Sequence, residues 1–276
     1  MNRKRRVKDL VLTILIWTFS LIGAVFLIWM LISVISKGLP GINPEFLTSE
    51  YNLYKGSTGI LPMIVGTLVL IFSTLVIAVP IGICAAIYLT EYAKQGLLVR
   101  AIRITTESLS GIPSIIYGLF GFIFFKNKLG LGFSVLSGAL TLSIMVLPLV
   151  VRTTEEALKS VDPGYREASL ALGAPRLYTI CRVVLPCAIP GILTAVILSM
   201  GRVIGETAAV VFTAGSVPKI PRLGRFLTSS IRTLSVHLYV AALEEGDFTG
   251  AYATAAILML IIAVLNFIAK RIARRL

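Results

Sequence analysis

Histidine occurs once in these 276 residues, at His237, which excludes any chemistry needing two imidazoles from this chain. The three cysteines, Cys84, Cys181 and Cys187, show neither metal-ligand spacing nor a clear disulfide pattern. No Gly-x-x-x-x-Gly-Lys-Ser/Thr run is present to cradle nucleotide phosphates. His-Glu-x-x-His, Gly-x-Ser-x-Gly and paired intramembrane aspartates are also missing. The expectation is a protein with no metal, no cofactor and no catalytic site of its own. Charge is scarce as well: 14% of residues are charged against 57% hydrophobic, and mean hydropathy is +0.92. That balance belongs to a chain crossing a membrane several times. Net charge is +13. In a soluble protein such an excess suggests nucleic acid. In an apolar chain it follows from Lys and Arg collecting on cytoplasmic loops, and no nucleic-acid partner is expected.

What the sequence has in quantity is apolar runs. Six reach or approach spanning length, at about residues 10–35, 60–90, 108–125, 133–151, 185–214 and 251–269. Each is expected to be helical, because lipid offers backbone groups no other partner. The first follows a basic tail and is too long for a signal peptide, so it reads as a retained span. The second, at about thirty residues, exceeds a bilayer, and Pro80 is expected to bend it. The third carries Gly111, Pro113, Gly118 and Gly121, which predict a kink and a closely packed neighbour. With the N-terminus inside, the inner loops hold seventeen Lys and Arg and the outer loops eight, so both termini are expected in the cytoplasm. In the outer loop 216–250, Arg222, Arg225 and Arg232 read as interfacial anchors or as a positive rim. His237 reads as solvated or locally hydrogen-bonded, and the acidic run 244–247 as solvated.

Within 185–214 the only charges are Arg202 and Glu206. Four residues apart on one helix, they would share a face one turn apart. A charge at mid-membrane costs at least about 2.5–3.5 kcal/mol, so the pair lines a polar path for an anion or locks helices together. Arg202 can offer a planar fork to oxyanion oxygens and Thr207 a hydroxyl. Glu206 would either restrain Arg202, so that an anion is released, or accept a proton-bearing oxygen.

The inner loop 152–184 reads as helix, glycine, helix. Asp162 caps, Pro163 starts, Gly173 stops, and a second arm runs from Arg176 toward Leu185-Pro186. Its first arm offers Ala168, Leu170, Ala171 and Leu172 beside Arg166 and Glu167, a surface shaped to plug a groove on another protein.

Glu167-Ala168-Ser169, Gly173, Ile180 and Leu185-Pro186 resemble the E-A-A loop of bacterial ABC-importer permeases, with Ser169 in place of a second alanine and Val183 at the usual isoleucine position. Further stretches resemble permeases of the high-affinity phosphate importer. They are residues 64–68, 80–82 and 85–92, then Gly111-Ile112-Pro113-Ser114 through Gly121, and 202–208. The compact N-terminal half and the ending 266–271 are nearer the PstA type than the PstC type. The resemblance spans roughly residues 58–276. It implies an all-α membrane protein with the six-helix, type I ABC-importer permease architecture. Residues 1–57 would form a basic tail, first helix and outer loop. Residues 58–276 would form a core of five spans carrying the loop 152–184. It also implies that Arg166, Glu167, Ala168, Ser169 and Gly173 couple to an ATP-binding cassette dimer. The other implied partners are a PstC-type second permease, an extracytoplasmic phosphate-binding protein, phosphate and membrane lipid. The place is the bacterial inner membrane. The same architecture carrying molybdate, sulfate or a phosphonate is the alternative.

Overall fold

The structure, a computed structural model, describes residues 3–52, 57–94, 96–221 and 223–273. Arg222 of the outer loop and the basic residues Arg274 and Arg275 lie outside the described residues. Helix dominates. In chain order it comprises α1 (Arg3–Gly38), α2 (Pro44–Thr48), α3 (Leu61–Ile87), α4 (Leu97–Ser110), α5 (Ser114–Gly121), α6 (Val135–Lys159), α7 (Pro163–Ala171), α8 (Arg176–Thr179), α9 (Leu185–Ile204), α10 (Ala208–Thr213), α11 (Leu234–Leu243) and α12 (Phe248–Ala273). Two residues on each side, Tyr51–Asn52 (β1) and Ser57–Thr58 (β2), form one short antiparallel ladder.

Among the described residues, five helices are long and apolar enough to span a membrane: Lys8–Gly41, Leu61–Tyr92, Val135–Lys159, Arg176–Ile204 and Phe248–Ile272. A sixth span results if the bent pair Leu97–Ser110 and Ser114–Lys128 is counted as one. The bend between its halves is 98° and falls at Gly111-Ile112-Pro113. There proline cannot continue the helix, and it biases the preceding residue away from helical backbone. The hydroxyl of Tyr117 donates to the Leu109 carbonyl at 2.7 Å, tying the two halves across the bend. Residues 97–107 were expected to be loop and are helix α4 instead, with Val99 buried and Leu97 and Leu98 exposed. Pro80 lies inside α3 without ending it, and Pro148 and Pro190 behave likewise in α6 and α9.

The core is built on α6. It packs along α3 on one side and α9 on the other. Leu142, Met145 and Val146 are fully enclosed with Leu70, Ile204 and Val210 around them. Small residues set the spacing. A Cβ on Gly121 would collide with Thr141 and Thr213, so only glycine lets α5 approach both α6 and α10. By contrast α1 leaves its apolar side chains exposed from Leu10 to Ile32 and meets the bundle only near its end, where Lys37 Nζ lies 5.0 Å from the centre of the Tyr252 ring.

Three spans contain π-helical turns, at Tyr88–Tyr92 after α3, Phe122–Lys128 after α5 and Ile180–Val184 between α8 and α9. Each inserts a wider turn without breaking the helix.

Candidate anion path and coupling helix

At one end of the bundle α6 runs on to Lys159, and α8 is continuous through the π turn with α9. The exposed connection is therefore shorter than the expected loop 152–184: its independent element is α7 with the turn after it. The capping chemistry is as the sequence predicts. Asp162 Oδ1 accepts from the Gly164 amide at 2.7 Å, Pro163 occupies the first turn, and Gly173 stands at φ +82°. That φ is costly for a residue with a Cβ.

The five residues expected to couple, Arg166, Glu167, Ala168, Ser169 and Gly173, divide by direction. Glu167, Ala168 and Gly173 are exposed. Beside them Tyr165, Leu170, Leu177 and Tyr178 are exposed too, and Leu172 is 89% exposed. Arg166 points inward instead. Its Nη2 donates to Glu91 Oε1 at 2.8 Å and to the Leu158 carbonyl at 2.7 Å, and its Nη1 donates to the Val161 carbonyl at 2.9 Å. Ser169 also turns in, its hydroxyl 2.9 Å from that of Thr179. The serine that replaces the family's alanine thus joins α7 to α8.

Glu91, only 8% exposed, is the hub that sequence reasoning missed. Its carboxylate holds Arg166, its carbonyl accepts from Arg176, and the Arg176 guanidinium lies 5.2 Å from the centre of the neighbouring Tyr92 ring. A buried carboxylate needs such partners. The end of α3 is thereby fastened to both arms around Gly173.

The anion-path reading needs one correction. The apolar run 185–214 is two helices, not one: α9 ends at Ile204, with Gly205 as its C-cap, and α10 begins at Ala208. Arg202 and Glu206 therefore do not share a helical face and form no ion pair. Glu206 Oε1 accepts from the Ala209 amide at 3.1 Å, and its carbonyl accepts from Ser235 Oγ at 2.8 Å. It secures the break, satisfying a backbone donor at the start of α10. Thr207 is half-buried beside it, and its hydroxyl has no hydrogen-bond partner among the described residues.

Arg202 sits in the last turn of α9, half-buried, with no hydrogen bond or ion pair among the described residues. It lines a cavity of about 320 Å³ between α4 and α6. Facing it along α6 are Pro148 and Arg152 and, further toward the α7 end, Glu155 and Lys159. Arg202 thus presents a guanidinium with no carboxylate partner to a cavity of that size, and a planar fork of this kind suits oxyanion oxygens.

At the opposite end of the bundle, segments expected to form outer loops make a closed network rather than a solvated loop. Arg232 is 11% exposed; it donates through Nε to the Ser216 carbonyl at 2.8 Å and lies 3.7 Å from Glu245. The Tyr51 hydroxyl donates to Glu245 at 2.6 Å. His237 is 3% exposed, edge-on to Tyr51, with Nδ1 3.4 Å from Arg232. Burial, reinforced by the Arg232 charge, pushes the imidazole down to about 4. Burial and the Glu245 hydrogen bond push the Tyr51 phenol up to about 12. Arg232 and His237 are thus structural here, and of the three expected rim cations the structure shows Arg225 exposed. Asp247 is also engaged, accepting from the Gly250 amide at the start of α12.

A family model described as binding-protein-dependent transport system inner membrane component matches residues 78–276. The chain is 37% identical over 215 residues to the probable ABC transporter permease protein YqgI of Bacillus subtilis, covering 78% of this chain and 72% of that protein. It is 34% identical over 284 residues to the phosphate transport system permease protein PstA 1 of Mycobacterium tuberculosis, covering 98% and 90% respectively. Its backbone is similar to a chain in the crystal structure of a bacterial alginate ABC transporter in complex with an alginate pentasaccharide-bound periplasmic protein. The TM-score is 0.69 at 17% identity, covering 99% of this chain and 96% of that one. At that identity the likeness is one of fold.

Proposed function

The chain belongs to the family of binding-protein-dependent transport system inner membrane components, and we propose that it is the PstA-type permease subunit of an ATP-driven phosphate importer. It is a multi-pass inner-membrane protein of type I ABC-importer permease architecture. The observation that carries the substrate is similarity over 98% of the chain to a phosphate permease, joined to a half-buried Arg202 with no carboxylate partner.

In this reading the path is completed by a PstC-type second permease, and phosphate arrives from an extracytoplasmic binding protein at the Tyr51–Arg232 end. Both termini are cytoplasmic. Energy comes from an ATP-binding cassette dimer, for which this chain has no P-loop. Glu167, Ala168 and Gly173 meet that dimer, with Leu172 as the apolar contact. Arg166 and Ser169 act from behind, carrying the movement of α7 to α3 and α8.

Phosphate is a mono- or dianion near neutral pH and cannot cross apolar protein unaccompanied. Arg202 meets it with a bidentate fork and Thr207 adds a hydroxyl. The carbonyl end of α9 carries partial negative charge beside Arg202, which tempers the attraction and lets the anion leave. Glu206 contributes indirectly by holding the break that positions both residues.

The test is reconstitution of the complete complex in vesicles with labelled phosphate. Arg202→Ala abolishes uptake while the complex still assembles; normal uptake removes Arg202 from the path. Removing residues 163–173 leaves an inserted chain that no longer co-purifies with the ATPase; retained co-purification overturns the docking assignment. Sulfate, molybdate and a phosphonate are offered as competitors, and displacement of phosphate by one of them reassigns the cargo.

A further inference from the structure

We infer that Arg152 is a second anion-holding group, one that receives phosphate from Arg202 and passes it toward the α7 end; this inference rests on the phosphate-path reading above. The cavity is walled by α4 and α6, and each helix contributes a set of charged residues. On α6 the set includes Arg152, Glu155, Glu156 and Lys159, and on α4 it includes Arg103 and Glu107. These spacings of three and four residues put each set on one side of its helix. Arg202 enters from the last turn of α9, whereas Lys159 is the last residue of α6, next to α7. From Pro148 to Lys159 the α6 wall extends about 16 Å at 1.5 Å per residue. Arg152 lies one turn past Pro148, the next cation along that wall.

The other cations of the wall are committed. Glu155 is buried and shared, 3.2 Å from Arg103 and 2.7 Å from Lys159. Those three charges form a tight cluster that fastens α4 to α6. Arg152 is held differently. Its side chain is 65% exposed; its Nε donates to Glu156 at 3.2 Å, and its Nη1 approaches Glu107 only to 3.8 Å. Both carboxylates are themselves exposed. Exposed pairs of this kind are weak. A phosphate can take the guanidinium's free edge without breaking a buried bond, and Glu107 and Glu156 then compete it off again. An arginine flanked by two loosely bound carboxylates therefore gives a resting place with a short dwell time, as release toward the ATPase side requires.

The test uses the complete importer in vesicles, with labelled phosphate and ATP hydrolysis followed together. Arg152→Gln lowers the maximal uptake rate at least fivefold while binding-protein-stimulated ATP hydrolysis and assembly persist, and Arg152→Lys restores more than half of the rate. Glu107→Gln with Glu156→Gln slows turnover by holding the anion longer. Uptake by Arg152→Gln within twofold of the unchanged protein overturns the inference. So does a loss accompanied by disassembly that Lys fails to rescue. Arg202→Ala run in parallel separates the two readings. If it abolishes uptake while Arg152→Gln does not, only the second station fails. If it leaves uptake intact, the path itself fails.

Discussion

Arg166 and Arg202 are both partly buried arginines in an apolar bundle, but their surroundings are opposite. Arg166 has a carboxylate and two carbonyls arranged around it, which take four of its five N–H donors. Arg202 has a cavity and no fixed partner among the described residues. Satisfied donors hold a structure together, while an unsatisfied charge is a cost that folding retains only where something else will bind. On the proposed reading the difference separates a joint from a path within one chain, although both arginines lie in stretches that resemble the same family.

The sharpest way to break this contrast is at Arg202. Replacement by alanine should lower phosphate uptake by at least about 30-fold, the scale of roughly 2 kcal/mol or more for losing a charged hydrogen-bond partner, with the thermal stability of the purified chain little changed. Arg166→Ala should do the reverse first: the fold loses about 3 kcal/mol because the Glu91 carboxylate is left buried and unpaired. A lowered melting temperature in detergent and loss of the co-purifying ATPase would register it. Combining Arg166→Met with Glu91→Gln should recover much of the stability but not the coupling of hydrolysis to uptake.

Arg232, another partly buried arginine, extends the comparison to pH. The His237 imidazole is depressed from 6.5 to about 4, so the unfolded chain binds the proton first as pH falls. The stability this neutral histidine contributes is complete above about 6.5 and is lost as pH drops from there through about 4. Melting at pH 7.5 and pH 5 should differ by up to about 2 kcal/mol from this group, and His237→Gln should flatten that window. The smallest effect belongs to Ser169→Ala, which restores the family's usual residue and removes one hydroxyl contact with Thr179. A loss of about 1 kcal/mol or less is expected, with ATPase co-purification unaffected.

Much of the fold was legible because a bilayer leaves few options: long apolar runs such as 60–90 and 133–151 have to be helices. The coupling helix was legible because Asp162, Pro163 and Gly173 each state a local backbone preference. The break at Gly205 was not, since the run stays apolar across it; the partners that stabilise it, Ala209 and Ser235, include one 29 residues away. Helix α4 was hidden by its charges, which face the cavity rather than water alone. His237 and Glu91 were missed for a related reason. Nothing local distinguishes a solvated polar residue from one whose partners arrive from another segment. Arg202 was singled out by its isolation in an apolar run, and that isolation does not depend on whether the run is one helix or two.

The π turns leave a lasting mark on the chain's geometry. One surplus residue in a helix advances everything beyond it by about 100° around the axis. The turn at Tyr88–Tyr92 therefore sets which way Glu91 faces relative to the lipid-side residues of α3, and the turn at Ile180–Val184 does the same for α9 relative to α8. Removing one residue from the Ile180–Val184 turn would leave the helix intact but rotate α9 against α8, carrying Arg202 away from its cavity, whereas a deletion in the Tyr88–Tyr92 turn, which ends its span, would re-aim Glu91 alone. Length changes that an ordinary loop absorbs would here act as a rotation of the whole transport machinery.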